Sequence, residues 1–263
     1  MTTATGKKQL RVSLASDYAY QKNLFPIEIV ATYPNESGSA DLSMIGTGVD
    51  GRDYAIKTCS DGKGYVPITE LFCYELARAL NIATPDFQIV KIRSGELAFG
   101  SVWEGGVQLI SQVTELEKIL SGTKPVRNLK AFISRVFALD LFINNIDRHF
   151  GNFLFRSSYN SHIGLAYDFG RAWYEINPFG YEVVQKNSKT IQCNFFARNF
   201  NQYDRSLASN ALDEISVIEN SSIRDILLRA PELWLKESER IEFLNWWGSS
   251  EMQNRINTLK GSL

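Results

Sequence analysis

One segment constrains this chain more than any other. The stretch Asn128 to Asn144 carries Phe132, Val136, Leu139, Phe142 and Ile143 and reads as a strongly apolar helix. Asp147-Arg148-His149-Phe150-Gly151-Asn152 follows it. Two short strand-like runs come next, Phe153 to Arg156 and Ile163 to Tyr167, joined by Ser157 to Ser161, and then Asp168-Phe169-Gly170. An acid, an amide five residues later and a second acid therefore fall within about one strand-loop-strand unit.

The rest of the chain divides by composition. The first hundred residues read mainly as strands. Leu24 to Tyr33 is β-branched and aromatic and is broken by Pro34-Asn35-Glu36-Ser37-Gly38. Leu42 to Val49 and Asp53 to Thr58 flank Asp50-Gly51, a strong type I′ hairpin signal, and Phe87 to Ile92 and Leu97 to Trp103 flank Ser94-Gly95, a second hairpin candidate. Between the pairs lies one helix, Thr69 to Leu80, with Phe72, Cys73, Leu76, Ala79 and Leu80 on its apolar face. Pro67 stands just ahead of it, and Thr69 is its expected cap. From Ser206 the chain reads as helices at Ser206–Ile218, Ser222–Arg229, Glu237–Trp247 and Ser250–Leu259. The expected class is α+β and bilobal. A small antiparallel sheet with one helix spans residues 1–106, and a mainly helical part spans 107–263. Glu104-Gly105-Gly106 is the joint.

Hydrophobic residues make up 44% of the 263, enough for a substantial core and too many for a disordered chain. A net charge of −1 argues against a general nucleic-acid binder. Cys59, Cys73 and Cys193 form no Cys-x-x-Cys pair, so neither a disulfide scaffold nor a zinc site is expected. Met1 to Asp17 is polar, and the best apolar run, Val136 to Ile143, is short and interrupted by Asp140. These features predict a cytoplasmic chain with no membrane segment.

The ordered acid, amide and acid suit transfer of the γ-phosphoryl group of ATP, a problem of charge and position. Asp147, in a loop, can orient an acceptor hydroxyl and take its proton. The Asn152 amide oxygen and the Asp168 carboxylate are hard ligands suited to magnesium. Taken singly, each reads more simply as a cap or turn residue; the ordered set is what carries the chemistry. Lys57 ends Tyr54-Ala55-Ile56-Lys57, where Ala55 and Lys57 share one strand face and Tyr54 and Ile56 the other. An ammonium on an inward face needs an anion, which ATP phosphates supply, and a helix glutamate can orient it. Glu70 and Glu75 are available, with Glu70 favoured. Gly46-Thr47-Gly48, upstream, could bring backbone N–H groups to phosphates or mark a bulge. Gly62-Lys63-Gly64 could be a lid or only a loop. His149 is expected to pack the loop or to bond near Asp168, and His162 to be an ordinary strand or turn residue. Arg171 reads as a contact to a phosphate or an activation segment, or equally as a surface arginine. Gly180 to Phe200, polar and dotted with aromatics, could receive substrate.

Together these residues resemble the HipA-like kinases, a bacterial branch of the protein-kinase-like fold. The likeness rests on Asn145 to Asn152, Asp168-Phe169-Gly170 and Lys57. The run Thr69 to Leu80 before Pro85 is similar to the family's first helix, and Pro231-Glu232-Leu233-Trp234 is similar to the tail of small standalone members. The resemblance implies ATP-dependent phosphorylation of Ser or Thr on a protein. Asp147 is then the base, Asn152 and Asp168 the magnesium ligands, and Lys57 the phosphate-binding lysine. It also implies an antitoxin or regulatory partner, since some relatives are toxins of toxin–antitoxin pairs. In some relatives a glycine-loop serine is autophosphorylated; Ser43, Thr47 and Ser60 are the nearby hydroxyls here. No helix-turn-helix and no extra N-terminal subdomain stand out. Two other readings stay open. Phosphoinositide kinases share an Asp-Arg-His-x-x-Asn loop and a following Asp-Phe-Gly, so a lipid or small-molecule acceptor is one; a nucleotide-binding pseudokinase is the other. The same groups would also serve adenylylation.

Overall fold

The Asp50-Gly51 turn closes a hairpin: Gly51 takes a left-handed φ of 76° and donates its N–H to the Gly48 carbonyl at 2.9 Å. The computed structural model describes residues 25–34, 44–103, 105, 107–109, 113–176 and 187–263. The hairpin belongs to a closed barrel of β1 (Ile27–Pro34), β2 (Met44–Gly48), β3 (Asp53–Lys57), β4 (Phe87–Lys91) and β5 (Leu97–Val102), in the order β1-β2-β3-β5-β4. Neighbours are antiparallel except β1 and β4, which pair in parallel with Ile27 opposite Val90. The sheet is thus not wholly antiparallel. Closure pairs the backbone of β1 and β4 and removes two exposed strand edges. Tyr54 and Ile56, fully buried, fill the interior with Ile29, Val90 and Ala98.

Helix α1 (Val66–Ala79) begins ahead of the expected Thr69. Pro67 lies in its first turn, where a missing N–H costs nothing, so the helix runs through the proline and Tyr65 takes the cap position. Thr69 is interior and does not cap it. Every residue from Val66 to Ala77 is buried, as expected of a helix enclosed on all sides. It packs on β5 and against helices α4 (Trp173–Ile176) and α7 (Asn220–Leu228).

A second sheet, in the order β6-β7-β8, joins β6 (Val107–Leu109) to the hairpin of β7 (Phe153–Ser158) and β8 (Ser161–Ala166). The remaining helices are α2 (Val113–Leu120), α3 (Leu129–Phe142), α5 (Lys189–Asn199), α6 (Arg205–Ser216), α8 (Glu237–Trp246) and α9 (Ser250–Ser262). Strand β6 and helices α2, α4 and α5 were not expected from the sequence. Helix α3 runs through the core and packs on α5, α6 and α9. The Arg255 guanidinium, on α9, donates to the Leu141 and Phe142 carbonyls at 3.0 Å and so satisfies the end of α3. Phe72 of α1 stacks on Trp173 at a centroid distance of 3.9 Å, with Phe243 and Trp247 edge-on to Phe72. One hydrophobic core therefore runs from α1 into the helical remainder. Among the described residues no helix is long and apolar enough to cross a membrane. Glu104 and Gly106 of the joint, Ser43, and residues 180–186 of the stretch expected to receive substrate lie outside the described residues.

Candidate active site

The loop after α3 is held from behind by a buried ion pair. Arg148 is 2% exposed and Asp140, on α3, is 0% exposed. The guanidinium donates to Asp140 through Nε at 2.9 Å and Nη2 at 3.1 Å. Its Nη1 donates to the Asn152 carbonyl at 3.0 Å and the Tyr167 carbonyl at 2.5 Å. One cation thus ties α3 to the start of β7 and the end of β8, where Tyr167 is the residue just before Asp168. Burial opposes its charge, but the Asp140 carboxylate outweighs burial and holds the arginine above its ordinary pKa. The ring of Phe169 lies 4.6 Å from the same guanidinium. Asn145 also donates to Asp140, at 2.8 Å.

Asp147 sits between these anchors. Its N–H donates to Asn145 Oδ1 at 3.1 Å, and Asn152 Nδ2 donates to its carbonyl at 3.2 Å. Its carboxylate remains 22% exposed and meets Lys189 Nζ at 2.7 Å. The Nδ1 of His149 accepts the Gly151 N–H at 3.1 Å, so this ring shapes the turn into β7. Burial, then the nearby Lys189 ammonium, push the His149 pKa below its ordinary value. His162 lies in β8 beside the Pro125 carbonyl, away from this loop.

Lys57 reaches the same place from the barrel. Its Nζ donates to Glu70 Oε1 and to Asp168 Oδ1, each at 2.5 Å. Tyr54 and Ile56 occupy the inward barrel face, so Lys57 projects from the opposite face toward α1 rather than inward. Glu70 also accepts the Phe169 N–H, at 3.1 and 3.2 Å, and so fixes the backbone beside Asp168. Glu75 is not the partner of Lys57; it pairs with Arg229 and, at 3.4 Å, with Arg78. Asp168 adopts a left-handed φ of 58°, a conformation aspartate tolerates better than most residues. Burial opposes the Lys57 charge, yet Asp168 and Glu70 hold its pKa above the ordinary value. For Asp168 the pull of Lys57 outweighs burial and lowers its pKa; for the more deeply buried Glu70, burial prevails and raises it.

Gly46 and Gly48 lie in β2, Gly46 paired with both β1 and β3 and Gly48 with β1. A Cβ at Gly46 would stand 2.6 Å from Ile56 Cδ1, and one at Gly48 would stand 2.7 Å from Ile27 Cγ2. Barrel packing therefore requires both glycines. Gly62-Lys63-Gly64 is not a free lid: Glu175 of α4 accepts the Lys63 N–H at 2.5 Å and the Tyr65 N–H at 3.2 Å. Asp140, Thr190, Lys189 and Glu175 were missed in the sequence. For Asp140 a signal existed, a lone acid inside an apolar helix.

The structure therefore gathers Lys57, Glu70 and Asp168, and separately ties Asn152 to Asp147. The sequence matches the HipA-like kinase family model over residues 34–245. The chain belongs to the HipA-like kinases. Among solved structures, this HipA-like kinase is similar to the Helicobacter pylori proinflammatory kinase CtkA, with a TM-score of 0.57 and 15% identity over 90% of this chain and 99% of that one. A chain of the Shewanella oneidensis MR-1 toxin–antitoxin complex of HipA, HipB and operator DNA gives a TM-score of 0.50 and 13% identity, covering 89% of this chain and 65% of that one. At these identities the likeness is one of fold, mixed α+β. No curated protein sequence matches the chain. Family membership brings a kinase-type function.

Proposed function

We propose that this HipA-like kinase transfers the γ-phosphoryl group of ATP, bound with magnesium, to a serine or threonine hydroxyl of a protein. The observation that carries the reading is the meeting of Lys57 with Glu70 and Asp168, 13 and 111 positions away in sequence, at 2.5 Å each. Buried Lys57 and Glu70, with the partly exposed Asp168, set two carboxylates against one ammonium, an arrangement that suits a cation. Asp168 and Asn152 would hold that cation. Two protein donors suit magnesium, which fills its shell with water and phosphate oxygens. Among the described residues no three His, Cys, Asp or Glu side chains converge as an all-protein metal site. When bound, magnesium supplies neutralisation of charge on the β- and γ-phosphate oxygens.

The chain's own groups do the rest. Glu70 keeps Lys57 extended toward the nucleotide phosphates, and Asp168, now bonded to Lys57, would be a ligand for the metal. Asp147 accepts the proton of the acceptor hydroxyl as the new O–P bond forms and the bond to the ADP oxygen breaks. Arg148 holds the Asn152 and Tyr167 carbonyls, so both metal-binding residues keep a fixed separation from Asp147. Residues 1–106 and 107–263 act as two lobes in this reading, with adenine against the backbone near Trp103 to Val107. Gly46 and Gly48 enter it as scaffolding of the hairpin above the phosphates. A cytoplasmic protein partner of antitoxin or regulatory type is part of the proposal; HipB and operator DNA accompany HipA in the Shewanella oneidensis complex.

The test is label transfer from radioactive ATP, with magnesium, to proteins and lipids of a cell extract, followed by mapping of labelled residues. We expect phosphoserine or phosphothreonine with the wild type and none with Asp147→Asn or Asp168→Ala, both still folded by circular dichroism. Label confined to lipids, or full transfer by Asp168→Ala, would overturn the proposal.

A further inference from the structure

We infer that Lys189 contacts the γ-phosphate of ATP at the transfer site, as the cation delivered beside Asp147 by the start of α5. The inference rests on the kinase reading above, and it concerns a residue outside the acid, amide and acid set.

The placement of Lys189 is built, not incidental. Thr190, the next residue, is 1% exposed. Its hydroxyl donates to the Asn145 carbonyl at 2.6 Å and accepts the Arg148 N–H at 3.1 Å. Those two residues flank Asp147. The first turn of α5 is therefore bolted across the very turn that presents the base. Ser188 caps the helix, accepting the Ile191 N–H at 3.3 Å. With the backbone held on both sides, the Lys189 side chain reaches Asp147 Oδ1 at 2.7 Å while staying 57% exposed.

Stability does not account for a lysine here. An exposed ion pair contributes about 0–1 kcal/mol. A cation in the first turn of a helix opposes the helix dipole by about 0.3–1 kcal/mol. The two effects nearly cancel. Charge at the reaction centre gives the lysine a task. Asp147 alone would repel an arriving γ-phosphate. Lys57 is buried against Glu70 and Asp168, and Arg148 is buried against Asp140 and two carbonyls. Lys189 is exposed, carries a long stem, and leaves Asp147 at little cost. It can swing from the carboxylate to a phosphate oxygen as nucleotide binds, which also frees Asp147 for the acceptor hydroxyl. The acceptor's proton goes to Asp147.

Binding of AMP-PNP, a non-hydrolysable ATP analogue, and of ADP, each with magnesium, separates the possibilities without any turnover. Calorimetric titration would use the full chain as wild type, Lys189→Ala and Lys189→Arg. Losing one charge-assisted hydrogen bond should weaken AMP-PNP by roughly 10–100-fold in Lys189→Ala, leave ADP within about twofold, and be largely restored in Lys189→Arg. A lysine that merely anchored α5 would move both nucleotides together. Equal losses for the two nucleotides, or unchanged AMP-PNP affinity in Lys189→Ala, overturns the inference while the kinase reading stands. Wild type that binds neither nucleotide overturns both.

Discussion

Replacing Asp140 with leucine removes the carboxylate hydrogen-bonded to Arg148 while leaving the guanidinium buried. The Nε and Nη2 bonds at 2.9 and 3.1 Å are lost, and so is the Asn145 bond at 2.8 Å. The two carbonyl bonds of Nη1 remain. Stranding one member of a buried pair costs about 3–5 kcal/mol. At about 2–4 °C per kcal/mol for a domain somewhat smaller than this, the melting temperature should fall by roughly 10 °C. Thermal melts, with urea unfolding to check that the m-value is unchanged, measure it. Adding Arg148→Met to Asp140→Leu should recover most of the loss, because an apolar pair of similar volume needs no desolvated charge. Activity should not recover with it, since the Asn152 and Tyr167 carbonyls lose their shared donor. A loss below about 1 kcal/mol for Asp140→Leu, or a double variant less stable than the single one, refutes the argument.

Three further outcomes are expected. Glu70→Gln should lower phosphoryl transfer on the order of 10²-fold, as loss of a preorganised charge does, whereas Glu75→Gln should act through Arg229 on the melting temperature and spare the rate. Steady-state kinetics beside thermal melts distinguish the two, and equal effects would sink the assignment of Glu70. Gly46→Ala drives a Cβ to within 2.6 Å of Ile56 Cδ1 and 2.7 Å of Ile29 Cγ2, so it should cost about 1–3 kcal/mol in urea unfolding. Burial favours the neutral form of Asp50, but bonds from the Tyr54 hydroxyl and Arg52 outweigh it and hold its pKa below the ordinary value. A lowered folded pKa means stability that is complete above the unfolded value of about 4 and lost as pH falls through the folded one. Asp50→Asn should therefore be less stable than wild type at neutral pH, with the gap closing in acid; a gap independent of pH would contradict the argument.

The parts of this molecule that were legible in the sequence are those whose residue types are dictated locally. Asp50-Gly51 announced a hairpin, and the hairpin is there, although only Gly51 takes a positive φ and so the turn is not the type I′ that the pair suggested. The apolar stretch through Phe132 to Ile143 became α3 and ended just before the loop that bears Asp147. What stayed hidden depends on chain segments meeting from far apart. Barrel closure needs β1 beside β4, a pairing with no turn to announce it. Asp140 looked like a flaw in an apolar run because its partner lies eight residues on, beyond a reversal of the chain. Helix α5 was concealed by an inverted pattern. Its buried residues are Thr190, Cys193, Asn194 and Ala197, while Phe195 and Phe196 are 61% and 51% exposed. A helix whose polar side faces the loop that bears Asp147 has no apolar stripe to detect. That inversion has a cause in the site itself: Asn145 and Arg148 need a hydrogen-bonding partner where Thr190 stands, and an aliphatic face there would leave both backbone groups unsatisfied. The same demand that hid α5 from periodicity is what sets Lys189 beside Asp147.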